Sequence, residues 1–482
     1  MSAGTRDRIE AHVWRISAVV IVGSIMSILD TTIVNVALAT LARELHSTIA
    51  EIQWVVTGYM LALAAVIPVS GWAAGRFGAK RLWVASVVLF TLGSALSGLA
   101  WSTETLVIFR VLQGIGGGMI MPVGTMMLTR AAGPARLGRI MSIIGMPMIL
   151  APIFGPTLGG LIIDHLDWRW IFYVNVPVGI VAVAMGMRLL PNVEEGVFRT
   201  KLDRIGLALL GLGVPLFVYG LAEIGQSGGL AAPQAYGPLV IGAVLVAAFV
   251  VHALRVDQPL LDVRLFRSAS FSAAAVTTFV LGACLFGAMI IMPLYFQLVR
   301  GEDAVTTGLL LIPQGIGAAI AMPLAGRFSD RVGGGRVALA GLAVTLLTTL
   351  PFIALQADTS YLLISAAMIG RGLGIGLTMM PAMTAAYARL RPEDIAHATP
   401  QLNVLQRVGG SIGTAALTVV LQHGLTAGAQ TPAAAAHAFG HTYLWVLALT
   451  AVAAIPAFVL ARAETADRER AMPAGVLAEA AA

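Results

Sequence analysis

The chain has 482 residues, of which 58% are hydrophobic and only 11% are charged, with a formal net charge of +6. A soluble domain carries about a quarter charged residues, so this composition excludes a water-soluble globular protein. Apolar blocks of about 18 to 25 residues recur along the chain, and a helix needs about 20 such residues to cross a bilayer. The sequence therefore predicts an all-α integral membrane protein. The one cysteine, Cys284, lies in an apolar block and is assigned to packing.

Fourteen transmembrane spans follow from these blocks, with short polar loops between them that leave no room for a folded domain outside the membrane. In chain order we predict spans at residues 15–39, 51–73, 82–101, 104–128, 138–163, 170–190, 205–222, 236–254, 271–297, 304–325, 336–356, 360–387, 398–422 and 441–461.

The distribution of Lys and Arg supports this count and predicts an orientation. Of the 30 basic residues, 24 fall on the side that carries both termini, three on the other side and three inside spans. Because basic loops stay in the cytoplasm, we expect both termini to be cytoplasmic and the protein to be a multi-pass protein of the cell (plasma) membrane, in a bacterium the inner membrane. The same bias explains the pI of about 9.8, so no nucleic-acid partner is expected.

One motif order occurs twice in the chain. The glycine-rich basic segment Gly71–Arg81 precedes Arg110, and the similar segment Gly326–Arg336 precedes Arg371. Two such repeats, related by an axis along the membrane normal, are typical of transporters that rock around a central site. We therefore predict four regions: a six-helix bundle (1–190), two inserted helices (191–268), a second six-helix bundle (269–461) and a cytoplasmic tail without fixed structure (462–482).

A set of ordered motifs then carries a family resemblance. The strings include SILDTTIVNVAL, QWVVTGYMLALAAVIPVSGW, RVLQGIGGG, GPTLGG, WRWIFYVNVPVG and MPLYFQLVRG. In this combination the chain resembles the major facilitator superfamily, and within it the fourteen-helix drug:proton antiporters. The resemblance implies a secondary transporter, functional as a monomer in the lipid bilayer. It would export drugs or other small amphipathic substrates, in antibiotic resistance for example, in exchange for protons, with the proton gradient as its energy source and no cofactor.

Asp30 and Arg110 are the ionisable pair that the spans bring to one depth. A carboxylate at a helix centre costs about 2.5 to 3.5 kcal/mol on insertion scales, so Asp30 needs a reason to be there. Counted from Arg15, Asp30 lies about 8 Å from the outer edge of the bilayer core, and Arg110, counted from Glu104, lies about 9 Å from the same edge. If the first and fourth spans adjoin, as the resemblance implies, a pair would offset both burial costs, and a proton on Asp30 would release Arg110. The alternative is a static ion pair that only holds two helices together.

The resemblance also implies roles for two groups of glycine-rich positions. The fifth span would carry the antiporter motif with Gly145, Gly155, Pro156, Gly159 and Gly160. The two basic loops would act in gating through Gly71, Arg76, Gly78, Asp330, Arg331 and Gly333. The first loop departs from the family pattern, because Gly75 stands where an acidic residue is usual, which puts its gating contact in doubt.

Several polar side chains inside the spans could line a substrate cavity, although ordinary packing between helices explains each equally well. The candidates are Asn35, Tyr59, Gln113, Tyr295, Gln297, Arg371 and Asn403. No acidic residue lies in the second-half spans, so Arg371 and Arg407 must face water, backbone carbonyls or an anionic part of a ligand. Arg407 is offset by one position from the family's arginine, which makes its role doubtful.

Other functions find little support in the sequence. Neither Lys80 nor Lys201 follows a glycine, which excludes a P-loop, and the string GGSIG lies in a predicted transmembrane helix and not at a strand-to-helix turn. His437 and His441 lack further ligands for a metal site. We therefore expect neither an enzyme nor a metal. An exporter of one endogenous metabolite, lipid or siderophore remains an alternative, and so does a membrane receptor or scaffold that does not transport.

Overall fold

The computed structural model describes residues 10–132, 137–191, 201–227, 233–387, 390–391, 394–426 and 431–471. All regular elements within these ranges are helices. The α-helices are α1 (Ala11–Glu44), α2 (Ile49–Ile52), α3 (Trp54–Val66), α4 (Ser70–Phe77), α5 (Ala79–Gly98), α6 (Thr103–Ala132), α7 (Leu137–His165), α8 (Trp170–Tyr173), α9 (Asn175–Leu189), α10 (Arg204–Ser227), α11 (Pro233–Arg255), α12 (Ala269–Leu298), α13 (Ala304–Val332), α14 (Gly334–Ile353), α15 (Tyr361–Tyr387), α16 (Ile395–Thr426) and α17 (Pro432–Ala471).

The predicted spans correspond to these helices in number and order. Among the described residues, 13 helices are long and apolar enough to cross a membrane. The remaining predicted span, 138–163, lies within α7, a helix of 29 residues. Successive spans run in opposite directions, so α1 begins and α17 ends at one end of the molecule. We call this the termini end and the opposite one the far end.

Proline breaks two of the predicted spans into shorter helices. The span predicted at 51–73 is interrupted by a 3₁₀ turn at Ile67–Val69, because Pro68 lacks the N–H that would bond to the preceding turn. The span predicted at 170–190 is divided between α8 and α9, and Pro177 likewise cannot donate to Tyr173 across the break.

The C-terminal region differs from the prediction of a tail without fixed structure. Helix α17 continues to Ala471, because the residues after Arg462 are mainly Ala, Glu and Arg, which favour helix. Glu464 in this extension accepts a 2.7 Å hydrogen bond from the backbone N–H of Gly335. The contact ties the last helix to the start of α14. Residues 472–482 lie outside the described ranges.

Three buried apolar clusters define how the two halves of the chain meet. The largest includes termini-end residues from both halves, among them Val13, Phe271 and Tyr387. At the far end, one cluster is built from the first half around Val34 and Phe172, and another from the second half. The two halves therefore share a core toward the termini end and have separate cores toward the far end.

Helices α10 and α11 pack against each other and lie beside the junction of the two halves. Leu210 and Val214 of α10 belong to an apolar cluster with Ala64 of α3, against which Val404 of α16 packs. At the termini end, Asp203 accepts hydrogen bonds from His252 Nε2 at 2.8 Å and from the backbone of Gly206 and Leu260. Burial opposes ionisation of Asp203, but these hydrogen bonds outweigh it and lower the pKa of the carboxyl.

Glycine makes the same turn in each half of the chain. Gly78 separates α4 from α5 with φ of 86°, and Gly333 separates α13 from α14 with φ of 101°, a region that other residues rarely adopt. About two turns before Gly78, Gly71 packs directly on the first turn of α16. A Cβ atom at Gly71 would lie 2.0 Å from the carbonyl oxygen of Ala396. The termini-end contact between the two halves therefore has no room for a side chain there.

The variant Gly71→Ala should open or destabilise the termini-end contact, because overpacking typically costs about 1 to 3 kcal/mol. We expect a melting temperature several degrees below wild type for the purified protein in detergent. Gly75→Ala is the matched control on the same helix, since a Cβ atom there meets nothing within 4 Å. Equal melting temperatures for Gly71→Ala and Gly75→Ala would contradict this tight packing.

Candidate functional site: a buried carboxylate and arginine

Asp30 and Arg110, predicted at one depth and, through the family resemblance, on adjoining spans, are in direct contact. Arg110 Nη1 lies 2.6 Å from Asp30 Oδ2, and both side chains are 0% exposed. Asp30 is on α1 and Arg110 is on α6, two helices that run in opposite directions side by side. A single ion pair thus connects the first and fourth spans inside the membrane.

Two amide side chains complete the hydrogen bonding of the carboxylate. Gln113 Nε2 donates to Asp30 Oδ1 at 2.8 Å, and Asn175 Nδ2 donates to the same oxygen at 2.8 Å. Gln113 Oε1 in turn accepts from Arg110 Nη1 at 2.7 Å, which closes a ring of three side chains. Asn175 also contacts Ser94 Oγ at 3.1 Å. The network therefore draws on α1, α5, α6 and α9.

Gln113 is one of the predicted candidates for either a substrate cavity or packing between helices, and Asn175 is not among them. Two signals were available. Gln113 follows Arg110 by three positions, which puts both on one face of the helix, and Asn175 is a polar residue inside the apolar motif WRWIFYVNVPVG. Both are instead buried partners of Asp30 in this conformation.

Aromatic rings and a backbone carbonyl hold the guanidinium of Arg110. Its Cζ lies 4.2 Å from the ring centroid of Tyr59 and 5.7 Å from that of Phe172. Arg110 Nε donates to the carbonyl oxygen of Val55 at 3.3 Å. Such cation–π contacts contribute about 2 kcal/mol when desolvated. Tyr59, predicted in the cavity, is fully buried and forms a wall of the ion pair instead.

One donor of this network has no acceptor within the described part of the chain. Arg110 Nη2 is buried and makes no hydrogen bond. An unsatisfied buried donor costs about 1 to 3 kcal/mol, more when the group is charged. The site therefore retains one position where an incoming acceptor would gain a charge-assisted hydrogen bond.

The glycines of the predicted antiporter motif let α7 pack closely between the two halves. A Cβ atom at Gly155 would lie 1.8 Å from Thr32 Oγ1, and one at Gly159 would lie 3.2 Å from the carbonyl oxygen of Ile33, both on α1. On the other side, Gly145 faces Met380 of α15 and Gly160 faces Val305 of α13. Pro156 lies within α7. Helix α7 is thus directly beside the helix that carries Asp30.

The predicted gating residues lie at the termini end, away from the ion pair. Arg76 is exposed in the last turn of α4. Asp330 and Arg331 lie in the last turns of α13, just before Gly333. Their part in gating stays a prediction.

The remaining cavity candidates do not form one surface. Tyr295 is fully buried and donates to the carbonyl oxygen of Gln356 at 2.6 Å, which makes it part of the far-end core of the second half. Asn403 is buried and donates to Thr399 of its own helix. Asn35 and Gln297 are exposed near the far end. Helix depth predicted where these side chains lie along the membrane normal, but not which way each one points.

The two second-half arginines remain without a carboxylate partner among the residues described. Arg371 is 4% exposed, and its guanidinium lies 5.7 Å from the ring centroid of Tyr443. Arg407 is partly buried and lies close enough to Tyr59 to interact with it electrostatically. Arg407 therefore reaches toward the first half, where Arg110 and Asp30 lie.

Comparison with known proteins identifies the family. The family model described as Major Facilitator Superfamily matches residues 20–414. The chain belongs to the Major Facilitator Superfamily. Members of this family are membrane transporters for small molecules and not enzymes, so the receptor and scaffold alternatives are set aside.

Curated relatives in this family include several exporters by name. The chain is 42% identical over 421 residues to the multidrug resistance protein B homolog of Mycobacterium tuberculosis, covering 86% of this chain and 78% of the relative. It is 31% identical to the multidrug export protein EmrB of Escherichia coli K12, with coverage of 82% and 77%. With the lincomycin resistance protein LmrB of Bacillus subtilis it shares 28% identity, with coverage of 89% and 92%.

Solved structures of the Major Facilitator Superfamily show the same fold. A double tryptophan mutant of XylE superimposes with a TM-score of 0.66 at 14% identity, covering 95% of this chain and 99% of that one. The human organic anion transporter MFSD10 superimposes with a TM-score of 0.61 at 13% identity, covering 91% and 99%. At these identities the likeness supports the fold alone.

A double-mutant cycle should show strong coupling between Asp30 and Arg110. Removing one partner of a buried pair costs about 3 to 5 kcal/mol because the other charge is left uncompensated. We therefore expect Asp30→Asn and Arg110→Gln each to lower the melting temperature, and the double variant to be more stable than the sum of the two losses predicts. Strictly additive losses would contradict a coupled pair.

Proposed function

We propose that this transporter exports small amphipathic molecules, drugs among them, in exchange for protons, and that Asp30 carries the proton. The observation that carries the proposal is the fully buried contact between Asp30 and Arg110, at 2.6 Å. The names of the exporters to which the chain is similar support the substrate class. The charge bias of the loops supports cytoplasmic termini, and we propose a monomer as the working unit.

Protonation of Asp30 would change the balance of the whole network. The neutral carboxyl group loses its attraction for Arg110, while Gln113 Oε1 and the Val55 carbonyl oxygen remain as acceptors for the guanidinium. The positive charge of Arg110 is then no longer balanced by Asp30. Because both side chains are fully buried, the electrostatic effect of an unbalanced charge is strong there. A cationic group of a substrate would be repelled, so the proton and a cationic substrate oppose each other's binding, as exchange requires.

The packing around the pair supports a link between its charge state and the conformation. Asp30 lies on α1, and α1 packs directly against the antiporter-motif glycines of α7. Helix α7 also packs on α13 and α15 of the second half. A change in the charge of the pair would therefore alter the packing where the two halves meet. The shared core at the termini end and the separate cores at the far end support a state in which substrate leaves toward the far side.

The free energies involved agree with the movement of one proton in each transport cycle. One unit of pH difference across the membrane is worth about 1.4 kcal/mol per proton, which sustains about a tenfold substrate gradient. The cost of breaking a buried ion pair, about 3 to 5 kcal/mol, is large enough to prevent the conformational change while Asp30 is charged. This energy barrier would prevent the proton or the substrate from crossing the membrane without the other.

Transport into sealed vesicles with an imposed pH gradient tests this proposal. A fluorescent lipophilic cation and a fluorescent amphipathic carboxylate are followed in parallel, and the gradient should drive accumulation of at least one of them in wild type. Asp30→Asn should accumulate at least about tenfold less of the probe than wild type, because a loss of about 1.4 kcal/mol in driving force makes the substrate gradient about tenfold smaller. Amounts of folded protein are matched between samples.

The control variant is Asp167→Asn, which removes a half-exposed acid beyond the spans whose ion-pair partner among the described residues is Arg169. It should transport like wild type. Wild-type transport that ignores the pH gradient would overturn proton exchange. Full gradient-driven accumulation by Asp30→Asn would move the proton to another residue.

A further inference from the structure

Arg371 occupies in the second half the place that Arg110 occupies in the first. Arg110 bonds to Asp30 of α1, and Asn175 of α9 and Ser94 of α5 continue this network, while Arg371 lies among α12, α14, α15 and α17. In the predicted repeat these are the corresponding four helices. The difference lies in the counter-ion: Asp30 faces Arg110, whereas the α12 residue beside Arg371 is the uncharged Cys284.

The charge of Arg371 is buried and only partly satisfied. Its side chain is 4% exposed, and its Nε makes no hydrogen bond to any described residue. The hydroxyl of Tyr443 lies close enough to interact with it. Burying an unpaired cation is unfavourable unless a partner of opposite charge is present. An anion bound beside Arg371 would therefore be stabilised, because the described part of the protein supplies no negative charge there.

A small cavity of about 30 Å³, which has room for one small polar group and is open on one side, adjoins this guanidinium. Three threonines in its wall, Thr345, Thr378 and Thr450, donate their hydroxyl protons to carbonyl oxygens of their own helices at 2.7 to 2.9 Å. They can accept but not donate further. Arg371 is therefore the donor that an anion in this cavity would use, while the other walls are mainly apolar.

One wall of the cavity belongs to the contact between the two halves. Ile375 and Met379 line the cavity and are also members of the core cluster that joins both halves, and Leu285 packs against that cluster. Access to Arg371 therefore depends on how the halves are arranged. A ligand bound here would have its anionic group inside the second half and its apolar part toward the junction.

We propose that Arg371 binds a monovalent anion in this cavity, namely the carboxylate or similar group of an amphipathic substrate, or an inorganic anion such as chloride. The inference builds on the proposed export function and adds to it that transported molecules include anionic or zwitterionic amphiphiles. Binding is measured at equilibrium in detergent without a pH gradient, so its failure is distinct from a failure of proton exchange.

Cys284 provides a built-in reporter, because it is the only cysteine of the chain and lines the same cavity. The rate of its alkylation by a small maleimide is measured in sodium gluconate, then with octanoate, with the uncharged octanamide, or with chloride in place of gluconate. Octanoate should slow the reaction at least about tenfold and octanamide should not. Protection by chloride as well would identify an inorganic anion as a second occupant.

Variants assign the protection to Arg371. Arg371→Gln should abolish it, Arg371→Lys should keep part of it, and Arg43→Gln, an exposed arginine beyond the spans, should leave it unchanged. The melting temperature of the same samples is a second readout: octanoate should raise it in wild type and not in Arg371→Gln. Equal effects of octanoate and octanamide, protection that persists in Arg371→Gln, or no effect of either anion on both readouts would overturn the proposal.

Discussion

The helix packing of the first half depends on the buried contact between Asp30 and Arg110. Each charge would be costly in the membrane interior without the other, which favours α1 and α6 side by side with these two residues at one depth. Gln113 and Asn175 then satisfy the carboxylate, and Tyr59 and Phe172 cover the guanidinium. The aromatic and amide residues around the pair are thus explained by the cost of its burial.

The same constraint explains why the two halves of the chain are unequal. The first half neutralises its buried arginine with a titratable acid, and the second half leaves Arg371 beside an uncharged thiol and a cavity. If Asp30 carries the proton and Arg371 holds an anionic group, the two bundles divide the work of coupling and substrate binding. Helix α7, packed against both α1 and α13, connects them mechanically.

Most of the architecture could be predicted from the sequence, and the limits have physical causes. Apolar block length and the positions of Lys and Arg are enough to place fourteen spans, and depth along two helices, with the adjacency that the family resemblance implies, pairs Asp30 with Arg110. Depth does not define rotation about a helix axis, so the sequence could not decide between a cavity and interhelical packing for Tyr295, which faces the far-end core. Asn175 contacts Asp30 only because α9 packs beside α1, a tertiary contact that local sequence does not specify.

The central claim is that Asp30 changes its protonation state when substrate binds. Purified protein in a weakly buffered detergent solution is mixed with the lipophilic cation ethidium, and a pH indicator dye reports protons released while ethidium fluorescence reports binding. At a pH low enough to protonate Asp30 in the free protein, binding to wild type and to Asp167→Asn should release up to about one proton per protein, and binding to Asp30→Asn should release none. Ethidium binding to wild type without proton release, or equal release from Asp30→Asn, would contradict the account.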